Sequence, residues 1–256
     1  MDTRLGLRNG TEIPVLGLGV WKMAEGGETE RAVHAALEAG YRHIDTAKLY
    51  GNERSVGKAV RESGIPREDI FVTTKLWPTD FLNPERGFRT SFEKLDLEYI
   101  DLYLVHWPVP FMSQKIWKTL EGVYEKGLVR AIGVSNYSVG DIEKLEKYAR
   151  IKPMVNQVEF SPGIHDLELL KYCQEKNIVV EAYSPLGQGK LTSHEAVLAI
   201  AKKYGKTPAQ ILIRWALQHG TVPLPKSSNK ERIIENTNVF DFALDPADIA
   251  RLNALN

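Results

Sequence analysis

The first half of the sequence contains Asp45, Tyr50, Lys75 and His106, whose side chains can hold or transfer a proton and lie within about 60 residues of each other. A tyrosine phenol with an ordinary pKa of ~10 is a poor proton donor to a carbonyl group at neutral pH. A nearby ammonium group favours the phenolate, so Lys75 could lower the pKa of Tyr50 toward the working range. Asp45 could keep that ammonium in place and charged, while His106 could hydrogen-bond and orient the carbonyl oxygen. Together these residue types could donate a proton to a carbonyl oxygen.

Each of the four residues also has an ordinary structural interpretation. Asp45 could cap a helix, and Tyr50 could be a half-buried aromatic residue of the core. Lys75 could be the solvated end of a strand, and His106 a hydrogen-bonded histidine inside the fold. These interpretations become hard to maintain only if all four residues meet at one place, so the elements that carry them decide the question.

The sequence alternates short apolar runs with longer amphipathic segments. Eight runs are typical of buried strands: VLGLG at 15–19, YRHID at 41–45, IFVTTK at 70–75, IDLYLVH at 100–106, VRAIGVS at 129–135, MVNQVE at 154–159, IVVEAYS at 178–184 and TVPLP at 221–225. Eight segments are typical of helices: 28–40, 55–63, 84–95, 114–127, 140–150, 166–177, 194–205 and 229–237. Helical crossovers between strands make the strands parallel.

Repeated units of about 30 residues favour a closed (β/α)8 TIM barrel, a fold that runs to ~250 residues. An open doubly wound sheet is the alternative architecture. Asn9-Gly10 favours a tight turn near the N-terminus, so we expect a β-hairpin there that closes the bottom of the barrel. No linker or shift in composition divides the chain, which predicts a single domain over residues 1–256.

The predicted barrel brings the four proton-handling residues together. The second barrel strand ends at Asp45, with Tyr50 in the following loop, the third ends at Lys75 and the fourth at His106. Neighbouring strands lie ~4.8 Å apart, and chemistry in these barrels sits at the carboxyl ends of the strands. We therefore expect the four side chains at one rim, which favours chemistry over the four structural interpretations.

The composition argues against several other classes of protein. The 256 residues include 33 Lys and Arg and 33 Asp and Glu, so no overall charge attracts nucleic acid or an acidic membrane surface. The single cysteine, Cys173, cannot form an internal disulfide, which fits a reducing compartment. We find no secretion signal and no run of ~20 apolar residues, so we expect a soluble cytoplasmic protein. The 6 histidines lack ligand spacing, so we expect no metal site.

Seven motifs, taken in order, resemble the aldo-keto reductase family: HIDTAKLYGNE, TTKLW, LVHWP, GVSNY, NQVE, YSPLG and PKSSNKERIIEN, together with IPVLGLGVW before them. The resemblance implies a (β/α)8 barrel that reduces an aldehyde or ketone with NADPH. The family's catalytic residues fall on the four named above, with Tyr50 as general acid, Lys75 and Asp45 as its tuning pair and His106 as the orienting group. Relatives that reduce a steroid double bond carry glutamate at the position of His106, so this chain has the carbonyl-reducing version.

The resemblance also implies a site for the cofactor along the barrel rim. The GLGVWK segment has Lys22 where the dinucleotide fingerprint needs a third glycine, so it is no such fingerprint. We instead expect this segment to form a tight passage from strand to loop, with Gly19, Val20 and Trp21 close to the bound cofactor. By resemblance, Ser135, Asn136 and Gln157 would bind the nicotinamide carboxamide, and Asp45 would also contact the cofactor. Tyr183 would stack on the ring, and Ser184 and Leu186 would line the pyrophosphate path.

The last predicted strand is followed by hydrogen-bond donors and positive charge. Barrels often bind phosphate after strands seven and eight, and in the family these positions hold the adenosine 2′-phosphate: Lys226, Ser227, Ser228 and Arg232. Glu235 and Asn236 would contact the adenine. Paired positive charge favours NADPH over NADH. The alternative interpretation is a solvated helix start.

Three tryptophans, Trp21, Trp77 and Trp107, follow predicted strand ends and match family positions that form the substrate pocket, together with Tyr50 and His106. The loop after His106 is slightly short for the family, and the sequence ends at Asn256, where many relatives continue into a loop that covers the substrate. We therefore expect an open pocket and broad specificity, and a monomer by comparison with relatives that have short loops. Two other functions remain open: an NADPH-binding regulatory or redox-sensing module with slow turnover, and an aldolase in which Lys75 forms a Schiff base.

Overall fold

The computed structural model describes residues 3–109 and 112–256. The chain begins with an antiparallel hairpin of β1 (Arg4–Gly6) and β2 (Glu12–Pro14), as the Asn9-Gly10 turn predicts. Gly10 has a φ of 86°, a left-handed conformation that glycine adopts without steric cost. The Asn9 side chain donates a hydrogen bond to the Arg130 carbonyl oxygen at 2.9 Å. Arg130 lies at the start of a barrel strand, so the hairpin covers the amino-terminal end of the barrel.

Eight parallel strands form the centre of the fold, and each pairs with the strand that follows it in the sequence. The strands are β3 (Leu18–Gly19), β4 (His43–Asp45), β5 (Phe71–Leu76), β6 (Ile100–Val105), β7 (Val129–Ser135), β8 (Val155–Glu159), β9 (Val179–Tyr183) and β10 (Val222–Leu224). They coincide with the eight apolar runs of the sequence, so the predicted strands are confirmed.

The first and last barrel strands meet and close the sheet into a (β/α)8 barrel. The Gly17 N–H donates to the Pro223 carbonyl at 3.1 Å, and the Gly19 N–H donates to the Pro225 carbonyl at 3.0 Å. A Cβ atom at Gly17 would lie 2.6 Å from a side-chain carbon of Leu224 and 2.8 Å from Nδ1 of His43, so the closure requires a residue without a side chain. The alternative of an open doubly wound sheet is wrong.

Helices surround the barrel on its outer face. They are α1 (Gly27–Glu38), α2 (Glu53–Glu62), α3 (Pro84–Leu95), α4 (Ser113–Glu125), α5 (Val139–Glu146), α6 (Leu167–Glu175), α7 (Glu195–Tyr204), α8 (Pro208–Gln218), α9 (Lys230–Glu235) and α10 (Pro246–Asn253). Eight of them lie within or across the eight segments predicted as helices.

The helix α8 was absent from the predicted set, and the structure corrects this. The segment begins with a capping box, in which Thr207 and Gln210 hydrogen-bond each other's backbone N–H groups. Ile211, Leu212 and Ile213 follow in direct succession and are all fully buried. Thr207 as the cap, Pro208 in the first turn and Gln210 three residues after the cap are the usual sequence signals of a helix start, so this helix was missed although its signals were present.

The inside of the barrel contains a polar layer, which is unusual because such interiors are commonly filled by branched apolar side chains. His43, Thr73, Gln157 and Glu181 are each 1% exposed or less. The register pairs Gln157 with Glu181 across β8 and β9. This layer lies beside the strand ends at which the sequence predicts chemistry.

In the part of the chain that the structure describes, no helix combines the length and apolar character needed to cross a membrane.

Candidate active site

The structure brings Asp45, Tyr50, Lys75 and His106 together at the carboxyl ends of β4, β5 and β6, and we call them the four-residue cluster. Lys75 is fully buried, and its Nζ donates to both carboxylate oxygens of Asp45 and to the Thr46 carbonyl oxygen, each at 2.8 Å. The same Nζ lies 5.1 Å from the ring centroid of Tyr50. The rings of Tyr50 and His106 are 6.0 Å apart at an angle of 80°. The four side chains therefore lie together at one rim of the barrel, as expected from the strand ends.

The loop after β4 places Tyr50 above the buried lysine. A single turn of 3-10 helix, Lys48–Tyr50, ends at Gly51, which has a left-handed φ of 73°. Asn52 then anchors the loop, because its amide donates to the carbonyl oxygens of Val20 at 2.9 Å and Met23 at 3.1 Å. The loop therefore folds back over the barrel end and is held there by hydrogen bonds.

The buried ion pair determines the charge of its neighbours. Burial acts to lower the pKa of Lys75, but attraction to Asp45 and other neighbours outweighs burial and leaves this pKa raised, so the ammonium form is favoured. Burial, and then the positive charge of Lys75, lower the pKa of His106 to about 3. The imidazole of His106 is therefore neutral at physiological pH, as an orienting hydrogen-bond group requires.

The pKa of Tyr50 differs from the expectation. It is raised above its ordinary value, because burial of the phenol outweighs the opposing charge of Lys75. Lys75 acts in the expected direction, but a net lowering of the pKa of Tyr50 is wrong for this structure. The sequence reveals the neighbouring ammonium, whereas the extent of burial depends on the folded loop.

The cluster lies in a cleft with a volume of about 970 Å³. The predicted residues that line this cleft are Gly19, Trp21, Asp45, Tyr50, Trp77, His106, Trp107, Ser135, Asn136, Gln157, Tyr183, Ser184, Leu186, Lys226, Ser227, Arg232, Glu235 and Asn236. Lys75 lies beneath its floor. Val20 is fully buried beside it, and Ser228 is exposed outside its lining, so these two are not brought to the cleft.

The strand ends beyond the cluster present an ordered set of polar groups. The Tyr183 hydroxyl donates to Oδ1 of Asn136 at 2.9 Å, and the Asn136 amide donates to the His106 carbonyl oxygen at 3.1 Å. The Gln157 amide nitrogen donates to Asp45 at 2.8 Å. Asn136 and Ser184 have left-handed φ values of 62° and 50°. Such strained backbone is concentrated at functional sites, and both residues line the cleft.

At the far end of the cleft, positive and polar groups face space rather than protein partners. Within residues 3–109 and 112–256, the side chains of Lys226 and Arg232 make no ion pair or hydrogen bond. Oδ1 of Asn236 is buried and has no hydrogen-bond partner among the described residues. Glu235 accepts a hydrogen bond from the Thr207 hydroxyl at 2.8 Å. Unpaired cations and an unsatisfied buried amide fit a ligand with a phosphate at this end and a base beside it.

Several residues of the cleft were missed by the sequence analysis: Lys22, Leu49, Glu159, Gln188, Gly189, Thr192, Thr207, Pro208, Ala209 and Leu224. Thr207, Pro208 and Ala209 belong to the start of the missed helix α8. Gln188 and Gly189 have left-handed φ values of 55° and 90°, and the glycines of the YSPLGQG segment were the available signal for this loop. The short loop expected after His106 includes residues 110 and 111, which lie outside the described residues.

The described residues contain no group of three or more His, Cys, Asp or Glu side chains that could hold a metal ion. What the site offers is a deep cleft, a buried charged lysine beneath a phenol, a neutral imidazole beside them and a cationic far end. This arrangement can bind an extended anionic ligand and donate a proton at its inner end.

Comparison with known proteins agrees with this geometry. Residues 15–256 match the model of the Aldo/keto reductase family. The chain is 48% identical to the glyoxal reductase of Bacillus subtilis (strain 168), over 98% of this chain and 91% of that protein. It is 49% identical to a 9,11-endoperoxide prostaglandin H2 reductase of Trypanosoma cruzi, over 98% of this chain and 90% of that protein.

A solved structure is also closely similar. It is an aldo-keto reductase enzyme from a Medee basin deep-sea metagenome library, with a TM-score of 0.95 and 45% identity, covering 99% of this chain and 95% of that one. Proteins of this kind typically use NADH or NADPH and reduce carbonyl groups. The chain belongs to the aldo/keto reductase family.

Proposed function

We propose that this protein reduces aldehydes and ketones to alcohols with NADPH, and that Tyr50 is the proton donor. The observation that carries the proposal is the Lys75 ammonium, held by three hydrogen bonds of 2.8 Å directly beneath the phenol ring of Tyr50. As Tyr50 gives up its proton, the phenolate that forms lies next to a fixed positive charge, which stabilises the product of proton transfer more than the neutral phenol.

The substrate carbonyl would be held between Tyr50 and His106. Nδ1 of His106 is buried without a partner among the described residues, so Nε2 is the nitrogen that can reach a ligand in the cleft. A neutral imidazole can donate one hydrogen bond to the carbonyl oxygen while Tyr50 donates the other. When bound, the nicotinamide supplies the hydride that reduces the carbonyl carbon.

The polar strand ends are suited to orient the nicotinamide. Ser135, Asn136 and Gln157 line the cleft beside the cluster, and Tyr183 offers an aromatic face. Both hydrogens of the Gln157 amide are already donated, to Asp45 and to Glu181. The carbonyl oxygen of Gln157 therefore remains to accept from the carboxamide NH2 group.

The far end of the cleft supports NADPH rather than NADH. Lys226, Ser227 and Arg232 line it, and the two cationic side chains have no protein counter-charge among the described residues. A 2′-phosphate would pair with them, whereas the hydroxyl of NADH would leave them unpaired. Asn236, with its unsatisfied oxygen, and Glu235 lie where an adenine amino group could donate to them.

The mouth of the cleft supports broad specificity. Trp21 and Trp107 are 38% and 44% exposed, and the Trp77 ring packs 5.0 Å from the His106 ring. Aromatic walls of this kind bind apolar and aromatic substrates without selecting one hydrogen-bonding pattern. The Schiff-base alternative is weakened because Lys75 is held as an ammonium ion, which is not a nucleophile.

The experiment is a spectrophotometric assay with NADPH or NADH and a panel of aromatic and aliphatic aldehydes and ketones. We expect oxidation of NADPH with several aldehydes, and slower oxidation of NADH. Tight binding of NADPH without turnover on any substrate would favour the regulatory module instead. Trapping of a substrate on Lys75 by borohydride would favour the aldolase.

A further inference from the structure

A second carboxyl group lies inside the barrel next to the four-residue cluster, and the proposed chemistry does not use it. Glu181 is in β9 and has no exposed surface. The Gln157 amide nitrogen donates one hydrogen bond to Oδ2 of Asp45 and one to Oε2 of Glu181, each at 2.8 Å. One side-chain amide thus connects the two carboxyl groups.

This connection determines the orientation of Gln157. An amide NH2 group has two hydrogens, and both are used by the bonds to Asp45 and Glu181. If the amide turned over, its oxygen would face the Asp45 carboxylate and its NH2 group would lose both acceptors. The acceptor on Glu181 therefore keeps the Gln157 oxygen directed at the cleft and keeps Asp45 aligned with Lys75.

Glu181 lacks a cation of its own. Lys75 donates its three hydrogen bonds to Asp45 and Thr46. His43 is the next basic group, with Nε2 at 3.4 Å from Oε1 of Glu181, but the same nitrogen is 3.0 Å from the Thr73 hydroxyl. Burial, and then the charge of Lys75, lower the pKa of His43 to about 3, so its ring is neutral. Oε1 of Glu181 has no hydrogen-bond partner within the described part of the chain.

These surroundings favour the neutral acid. Burial, and then repulsion by Asp45, raise the pKa of Glu181 to about 8, while Gln157 and Lys75 oppose this. Across the strand pairing on the other side, Glu181 faces Val222, which is apolar and fully buried. Lys75 is therefore the one cation facing Glu181 among the described groups, and its ammonium is already paired with Asp45.

We propose that Glu181 is a positioning residue of the active site: its Oε2 accepts from Gln157 and so holds Gln157 and Asp45 in the orientation that cofactor binding and proton donation require. This inference rests on the proposed reductase function. With Glu181 neutral, the barrel end has one ammonium ion and one carboxylate. Loss of the Glu181 proton adds a second buried negative charge, which raises the pKa of Tyr50 and makes it a weaker acid.

The test compares the wild-type protein with Glu181→Gln, which keeps an oxygen that can accept from Gln157 but cannot ionise. Glu53→Gln is the matched control. Glu53 is also fully buried with a raised pKa, caused first by burial, but it accepts from Thr74 on the outer side of the barrel wall. Turnover of NADPH with 4-nitrobenzaldehyde and NADPH binding, followed by tryptophan fluorescence, are measured between about pH 6 and pH 10.

We expect wild type and the Glu53 variant to lose turnover by about fivefold or more as pH rises through 8, whereas Glu181→Gln changes less than about twofold. Coincident profiles for wild type and Glu181→Gln would overturn the inference. A third variant, Glu181→Leu, removes the acceptor. We expect it to weaken NADPH binding about tenfold at neutral pH, and unchanged binding would also count against the positioning role.

The binding measurement separates this inference from the proposed function. If wild type oxidises no NADPH with any carbonyl compound, the reductase proposal fails, while NADPH binding by Glu181→Leu still decides the positioning role of Glu181. If wild type is active and its pH profiles match those of Glu181→Gln, only the role of Glu181 fails. Unfolding of the free protein gives an independent readout, because the Glu181→Gln midpoint should rise by about 5–10 °C relative to wild type between pH 5 and pH 9.

Discussion

Replacement of Lys75 by methionine tests the buried ion pair beneath Tyr50. The substitution keeps much of the side-chain volume but removes three hydrogen bonds of 2.8 Å and the positive charge. Asp45, which is 3% exposed, would keep its bond from Gln157 but would lose its counter-charge. Removal of one partner from a buried pair costs about 3–5 kcal/mol. For a protein of this size we expect the unfolding midpoint to fall by about 6–20 °C.

The double variant Lys75→Met/Asp45→Asn separates the cost of an unpaired charge from the cost of lost packing. With both charges removed, no buried ion remains unpaired, so we expect the double variant to recover about 2 kcal/mol or more of the loss. Unfolding by urea and by heat, followed by circular dichroism, measures each free energy. Asp45→Asn alone completes the double-mutant cycle.

Activity should not follow stability in this series. We expect all three variants to lose carbonyl reduction by about 10²-fold or more. Two of them lack the Lys75 ammonium beneath Tyr50, and Asp45→Asn lacks the carboxylate that holds this ammonium in place and keeps it charged. The reasoning is refuted if Lys75→Met unfolds within about 1 kcal/mol of wild type, or if the double variant is no more stable than Lys75→Met.

Three further predictions follow from other parts of the molecule. Arg232→Ala should weaken NADPH binding by about 10–100-fold and NADH binding by less than about threefold, and equal losses for both cofactors would contradict the phosphate role. The control is Lys230→Ala, because the Lys230 ammonium pairs with Glu38 at 2.8 Å outside the cleft. The pH dependence of kcat/KM should show no inflection near the ordinary histidine pKa, because the pKa of His106 is lowered to about 3 and its ring stays neutral as pH falls from about 8 to 5. An inflection that is present in wild type and disappears in His106→Gln would contradict this prediction. Gly17→Ala should lower the free energy of unfolding, measured in urea, by about 1–3 kcal/mol, because the new Cβ would lie 2.6 Å from the Leu224 side chain. Gly6→Ala, whose Cβ would have nothing within 4 Å, should be close to neutral, and equal effects of the two variants would refute the view that barrel closure needs a glycine at position 17.

The positions of the main site residues could be predicted because a barrel converts strand ends into neighbours. Asp45 is the last residue of β4, Lys75 is the residue before the end of β5, and His106 directly follows β6. Counting the apolar runs was therefore enough to place them at one rim. Helix α8 follows another helix rather than a strand, so counting strands did not call for it, although Thr207, Pro208 and Gln210 form a recognisable helix start. Because α8 was not predicted, Thr207 at its start was not predicted to line the cleft.

The energetics of the site depend on distances that no motif encodes. The ammonium of Lys75 was evident from the sequence, but the balance between its charge and the burial of Tyr50 required the folded loop. The same is true of Glu181, which reads in the sequence as one residue of an apolar strand. Only the structure shows that Gln157 joins it to Asp45 at 2.8 Å.

The most direct test of the account is the single-turnover rate of aldehyde reduction by Tyr50→Phe with bound NADPH, compared with wild type. Phenylalanine keeps the ring above Lys75 and removes only the acidic hydroxyl. We expect the rate to fall by about 10²–10⁴-fold while the Kd for NADPH changes by less than about threefold. A Tyr50→Phe protein that reduces the aldehyde at the wild-type rate would contradict the account.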